Sequence, residues 1–250
     1  MKLLATDFDG TLFIDNEIPT ETLLQIKNWQ LAGNVFGIIT GRDEIMIVDK
    51  LKDYDLDIDF FIGNNGAVVD GRLDNPIHME DILELLTEKL TFQSEHILLF
   101  KEKEHLVLLN KKSSKFYYRE YDQLKKITRK QLESITSVTQ LSFQFTTNYE
   151  ARLCGKQINQ LEGRRLQAFQ NNNCVDIVSR GTNKAVGLSR YMSSQNCEFE
   201  EVVVIGDGEN DKELIKTFNG YSLPHASPSV RQLANGIVGS VGELISSLMR

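Results

Sequence analysis

Residues 1–13 read MKLLATDFDGTLF. Leu3-Leu4-Ala5-Thr6 is a short, mostly apolar run of the kind that forms a strand buried on both faces. It ends in two aspartates, Asp7 and Asp9, before Gly10 turns the chain. One carboxylate is enough for a polar strand end. Two like charges this close repel, and each needs a cation or a proton to offset it. Three further apolar runs have the same form: Val35–Thr40, Phe60–Ile62 and Val202–Ile205, which lead into TGRD, GNNG and GDGEND. Helical stretches separate them. One runs from about Thr20 to Ala32 and is closed by Gly33. Another runs from about Asp43 to Tyr54, with Ile45, Val48 and Leu51 at three-residue spacing. After the last run, Leu214, Ile215 and Phe218 form an apolar stripe. This alternation predicts an α/β fold with a doubly wound, mostly parallel sheet. Ligands bind such sheets beyond the carboxyl ends of the strands, where all four polar turns fall.

The middle of the chain has a different pattern. From about Leu73 it has a helical stretch (Ile82, Leu85, Leu86, Leu90), then a hairpin, HILLFKEKEHLVLLN, with the charged KEKE as its solvated tip. A polar helical stretch comes next. In SVTQLSFQFTTN, Leu141, Phe143 and Phe145 alternate with Ser142, Gln144 and Thr146, the mark of a half-buried strand with one polar face. A helix over about Tyr149–Leu161 precedes two short strands, Leu166–Gln170 and Cys174–Val178, joined through an asparagine turn. Hairpins with helices predict an α+β domain, residues 73–178, inserted into a Rossmann-like core of residues 1–72 and 179–250. The turn-rich GRLDNP and VSRGTN form its junctions.

Bulk properties narrow the function. The chain has 250 residues, 41% hydrophobic and 25% charged, enough for a sizeable core, and a formal net charge of -7. That charge argues against nucleic acid, whose affinity comes from basic residues on phosphates, and against an anionic membrane surface. KKSSKFYYRE, residues 111–120, is read as a helix face with a solvated rim. Three cysteines and four scattered histidines form neither a disulfide framework nor a zinc pattern. With no signal peptide or membrane span in view, a reducing cytoplasm is expected.

The four polar turns hold the parts of a phosphoryl-transfer site: a nucleophile, a proton donor and cations. Asp7 can attack phosphorus as a carboxylate. Asp9 can give and take protons. Gly10 permits the sharp turn, and Thr11 can cap the next turn of the chain. Thr40, with the amides of Gly41 and Arg42, can bind phosphate oxygens at a helix N-terminus. Lys184 opens a helix after SRGTN, and Asp207 and Asp211 add carboxylates for a metal.

In this order, DFDGT, ITGR, SRGTNK and GDGEND resemble the signature motifs of the haloacid dehalogenase superfamily. The large insertion resembles the α/β cap of its Cof-type phosphatases. The resemblance covers nearly the whole chain. It implies Asp7 as nucleophile, Asp9 as general acid/base, Thr40 and Lys184 as phosphate binders, and Asn210 facing the phosphate. It implies Mg²⁺ held by Asp7, the Asp9 carbonyl and Asp207, with Asp211 in support. It also implies that GNNGA, residues 63–67, lines the substrate side. One stretch departs from the family. Many relatives have something like MGNA where this chain has SLPHASPSV, residues 222–230, so a Pro-His pair stands in place of Gly-Asn.

The expected activity is hydrolysis of a small phosphorylated metabolite, a phosphomonoester such as a sugar phosphate, through an aspartyl-phosphate. The protein would be a monomer or small homo-oligomer. Two alternatives stay open at this level. One is a phosphomutase or dedicated sugar-phosphate phosphatase with the same four motifs. The other is a sensor or binding protein on a retired phosphatase fold, which would be expected to lose Asp7, Asp9 or Lys184.

Overall fold

A computed structural model of the protein describes residues 1–87, 93–101, 104–110, 124–161, 163, 165–218 and 220–250. The chain divides into two compact units. One comprises Met1–Arg72 with Asn183–Arg250, and the other Leu73–Thr182.

The first unit is built on an eight-stranded sheet. Its spatial order is Gly236–Ile237, Tyr221–Ser222, Glu201–Ile205, Lys2–Thr6, Val35–Ile39, Phe60–Gly63, Val68–Val69 and Arg72–Leu73. The first six strands run parallel, and Val68–Val69 turns back antiparallel. Later strands add on both sides of Lys2–Thr6, so the chain reverses its winding between that strand and Glu201–Ile205. Asp7 and Asp207 leave the sheet there, at the switch point where such folds bind ligands.

Alternation along each strand sends residues to two cores. Leu4, Phe36, Ile38, Phe61, Val203 and Ile205 pack on one face with Ile26 and Trp29 of the helix Thr20–Leu31 and Leu244 and Ile245 of Val241–Leu248. Leu3, Ala5, Ile39, Phe60, Ile62 and Val204 pack on the other, with Leu188 and Tyr191 of Lys184–Ser194 and Leu214 of Lys212–Thr217. The helix Glu44–Leu51 differs from expectation. Ile45 and Val48 are exposed and Ile47 is buried instead. A spacing of three drifts off a 3.6-residue period, so the stripe marks the neighbouring face.

The second unit has its own core. Its main sheet runs in the order Leu166–Asn171, Cys174–Ser179, Gln140–Gln144, His96–Lys101, Glu104–Leu109 and Lys125–Lys126, antiparallel except for the last pair. One face packs against Ile82 and Leu85 of the helix Met79–Leu85 and Ala151, Cys154 and Ile158 of Asn148–Gln160. The helix Asn148–Gln160 opens with a reciprocal Thr147–Glu150 cap. On the opposite face Gln140 and Ser142 are buried, and the Ser142 hydroxyl donates to Asp176 Oδ1 at 2.7 Å. The Ser142 hydroxyl on the polar face of this strand is therefore satisfied within the unit. Leu90, the central pair of KEKE, and residues 111–123 of the polar stretch, KKSSKFYYRE included, lie outside the described residues; its remainder forms the strand Lys125–Lys126 and the short helix Arg129–Leu132.

Candidate active site

Phe8 explains why both aspartates project from the strand end. Its ring is fully buried and stacks on Phe13 with centroids 5.1 Å apart. Its carbonyl accepts from the amides of Thr11, Leu12 and Phe13, while the Gly10 amide returns to Phe13 O. Anchoring the central residue of Asp-Phe-Asp in the core leaves its neighbours to the other side. Gly10 takes φ +79°, and a Cβ there would lie 2.6 Å from Asp207 Oδ2. Only glycine admits both the conformation and that approach. Thr11 does not cap the turn with its hydroxyl, as expected from the sequence; it donates to Asp207 Oδ1 at 2.6 Å.

Lys184 lies at the centre of the site, buried to 1% exposure. Its ammonium donates to Asp7 Oδ1 at 2.5 Å and Asp211 Oδ1 at 2.6 Å. Asp211 Oδ2 accepts from the Gly208 amide at 2.8 Å, closing the GDGEND loop on itself. One carboxylate oxygen from each of Asp7, Asp207 and Asp211 lies within 4.8 Å of the others. Burial works against the charge on Lys184, but Asp211 and Asp7 outweigh it and hold the ammonium above its ordinary range. Burial pushes the Asp7 carboxyl well up. Lys184 opposes the shift, and Asp211 and Asp207 add to it. Burial likewise raises Asp207 against the Thr11 hydrogen bond. Three carboxylates against one ammonium leave two negative charges, which one divalent cation offsets. An all-oxygen donor set suits a hard cation such as magnesium.

Asp9 is compensated separately. Arg42 forks onto it, Nε to Oδ2 at 2.6 Å and an Nη to Oδ1 at 2.8 Å. Two of the expectations for phosphate binding therefore need correction. The Arg42 amide donates to Thr40 Oγ1 at 3.1 Å. The helix Glu44–Leu51 is capped by the Asp43 carboxylate, which accepts from the Met46 amide, so an anion already occupies that N-terminus. Thr40 is buried, and Gly41 is half-buried in the same turn. The Asp9 carboxylate stands outside the three-aspartate cluster.

Asn210 Nδ2 donates to Asn65 Oδ1 at 2.9 Å, joining GDGEND to GNNG. The amides of Asn64 and Asn65 return to the carbonyls of Arg42 and Thr40. At Gly66, φ +95°, a Cβ would lie 2.2 Å from Asn183 O. That close approach seats the helix that carries Lys184, and Asn183 caps it by accepting from the Val186 amide. The parts that Phe8, the Arg42 guanidinium, Gly66 and His225 play in the site are not legible in the sequence. His225 Nε2 lies 2.8 Å from the Gly10 carbonyl and 3.5 Å from Asp207 Oδ2.

Residues 4–243 match the family model of haloacid dehalogenase-like hydrolases. The chain belongs to that family. Within it, the chain is of the Cof type and is a phosphatase. It is similar to an HMP-PP phosphatase of Yersinia pseudotuberculosis, 25% identical over 92% of this chain and 86% of the relative. It is also similar to the Escherichia coli 5-amino-6-(5-phospho-D-ribitylamino)uracil phosphatase YbjI, 23% identical over 96% and 91%. In fold it resembles a HAD/COF-like hydrolase from Plasmodium vivax, with TM-score 0.84, 22% identity and 100% and 95% of the two chains covered. Among the described residues, no helix is long and apolar enough to cross a membrane.

Proposed function

We propose that the protein is a Mg²⁺-dependent phosphatase that hydrolyses a small phosphorylated metabolite, a phosphomonoester, through an aspartyl-phosphate on Asp7. The observation that carries this reading is the buried Lys184 ammonium bridging Asp7 and Asp211 beside Asp207. Magnesium would be held by Asp7, Asp207 and the Asp9 carbonyl, with Asp211 in support. Bound there, it would neutralise charge on the transferring phosphoryl group.

Lys184 grips Asp7 Oδ1 and so sets the rotation of the carboxylate. An Asp7 oxygen attacks phosphorus as the bond to the leaving oxygen breaks. Asp9 supplies the proton which that oxygen takes. Asp9 then accepts a proton from the water that attacks the phosphoryl group, releasing phosphate and restoring Asp7. Thr40, whose hydroxyl can still donate, and Lys184 would bind phosphate oxygens. Gly41, in the turn of Thr40, and Asn210, in the loop of Asp207, would support them. We assign substrate selection to the inserted unit, a reading supported by its separate core and compact fold. The curated relatives named above are phosphatases, which supports a small phosphorylated substrate. Cytoplasmic action belongs to the same proposal, supported by three cysteines of which none is joined in a disulfide.

The test is Asp7→Asn. An amide cannot attack phosphorus as a carboxylate does, so the variant should fold yet retain less than about a hundredth of wild-type kcat in a phosphate-release assay. A higher residual rate would exclude the covalent route.

A further inference from the structure

The SLPHASPSV stretch, residues 222–230, is bound tightly to the loops that carry the acidic cluster. The Ser222 hydroxyl donates to Gly206 O at 2.8 Å, and Leu223 is fully buried. Arg231 donates to the Pro224 carbonyl at 3.1 Å. Ser227 and Ser229 donate to Glu209 Oε1 at 2.9 and 2.8 Å, and Ala226 is buried between these anchors. The loop is therefore fixed on both sides of His225, while the His225 side chain remains 49% exposed.

His225 reaches from this fixed loop to two groups. Its Nε2 is 2.8 Å from the Gly10 carbonyl, which has no proton to give, so Nε2 is the donor. The same atom is 3.5 Å from Asp207 Oδ2. Asp207 Oδ1 is held by Thr11, and Oδ2 lies against the bare face of Gly10. The carboxylate is thus gripped at one oxygen by Thr11 and flanked at the other by His225. The peptide after Gly10, one step from the Asp9 carbonyl, is held by the same ring. Both the neutral Nε2–H ring and the protonated ring can make these contacts, so no titration is required.

We propose that His225 is a positioning residue for the metal site, orienting the Asp207 carboxylate and the Gly10 turn for a divalent cation. It acts through those groups and is not itself a ligand, since the clustered donor atoms are those of Asp7, Asp207 and Asp211. This inference rests on the reading of Asp7 and Asp207 as ligands for magnesium. Groups that orient metal ligands typically contribute about 10–100-fold to affinity.

The experiment is calorimetric titration of MgCl₂ into wild type, His225→Ala and His225→Gln, with the substrate KM measured at saturating Mg²⁺. His225→Ala should weaken Mg²⁺ binding about tenfold and leave the substrate KM within about twofold. The Gln amide can still donate and should recover most of the loss. The side chain is half-exposed, so its truncation should leave the fold intact, and circular dichroism checks this. Alanine and wild-type proteins binding Mg²⁺ within about twofold of each other would overturn the proposal, since orienting groups contribute more than that. A wild type that binds no Mg²⁺ at millimolar concentration would overturn the metal reading itself, and this proposal with it.

Discussion

At the scale of single residues, each carboxylate of the Asp-Phe-Asp motif has its own cation. Asp7 meets the Lys184 ammonium, and Asp9 meets the Arg42 guanidinium through a two-point fork. Such a fork fixes orientation as well as charge, which a lysine cannot do. If Asp9 is the acid/base, its aim depends on Arg42. Arg42→Lys should then lower kcat about tenfold, and Arg42→Ala about a hundredfold, no more than the whole of what acid/base assistance supplies. Steady-state phosphate release measures both. An unchanged kcat in Arg42→Lys would mean that the fork has no part in turnover. The corrections to the expected site also belong at this scale. The sequence presents the Arg42 amide and the helix end after it as open to a phosphate, yet that amide is already bonded to the Thr40 hydroxyl oxygen, and Asp43 occupies the helix end.

Between elements, the seat of Lys184 depends on the turn Asn64–Gly66. A Cβ at Gly66 would strike Asn183 O, and the backbone there is left-handed. Gly66→Ala should therefore cost about 2–3 kcal/mol, from steric overlap and strain together. It should also displace Lys184 and reduce kcat. Denaturant unfolding measures the first effect, and a stability within about 0.5 kcal/mol of wild type would refute the docking argument. In the inserted unit, the strand His96–Lys101 opens with a histidine that is 3% exposed. Burial lowers its pKa to about 4, against a small opposing pull from Glu95. A depressed pKa gives stability that is present above the unfolded value, near 6.5, and lost as pH falls towards 4. The unit should lose about 2 kcal/mol between about pH 7.5 and about pH 5 from this group. His96→Gln should flatten that part of the unfolding profile, and an equally steep profile in the variant would assign the loss elsewhere.

For the whole molecule, the inserted unit closes on itself at its junctions. Asn75 donates to Thr182 Oγ1 at 3.2 Å, and Ser179 donates to the Pro76 carbonyl at 2.9 Å. The two connecting chains therefore run side by side, and a short linker can replace the insert at little entropic cost. Removing residues 73–182 should leave a folded catalytic unit whose Mg²⁺ affinity stays within about threefold. Its discrimination among phosphomonoesters should fall at least about tenfold. A truncated protein that keeps the full selectivity would contradict the assignment of substrate choice to the insert. Much of this architecture is legible in the chain itself. The strands Lys2–Thr6, Val35–Ile39, Phe60–Gly63 and Glu201–Ile205 lie where apolar runs meet polar turns, because burial on both faces of a parallel sheet leaves a local mark. The motif residues Asp7, Lys184, Asp207 and Asp211 are also readable, since their chemistry resides in residue type and order. Their pairing is not readable in the same way. Lys184 and Asp7 are 177 positions apart, and Arg42 and Asp9 are 33 apart. Hydrophobic periodicity records only which face of an element is buried. Which cation offsets which carboxylate, and that His225 reaches Gly10 and Asp207, depend on strand order and helix docking, which only the tertiary structure decides.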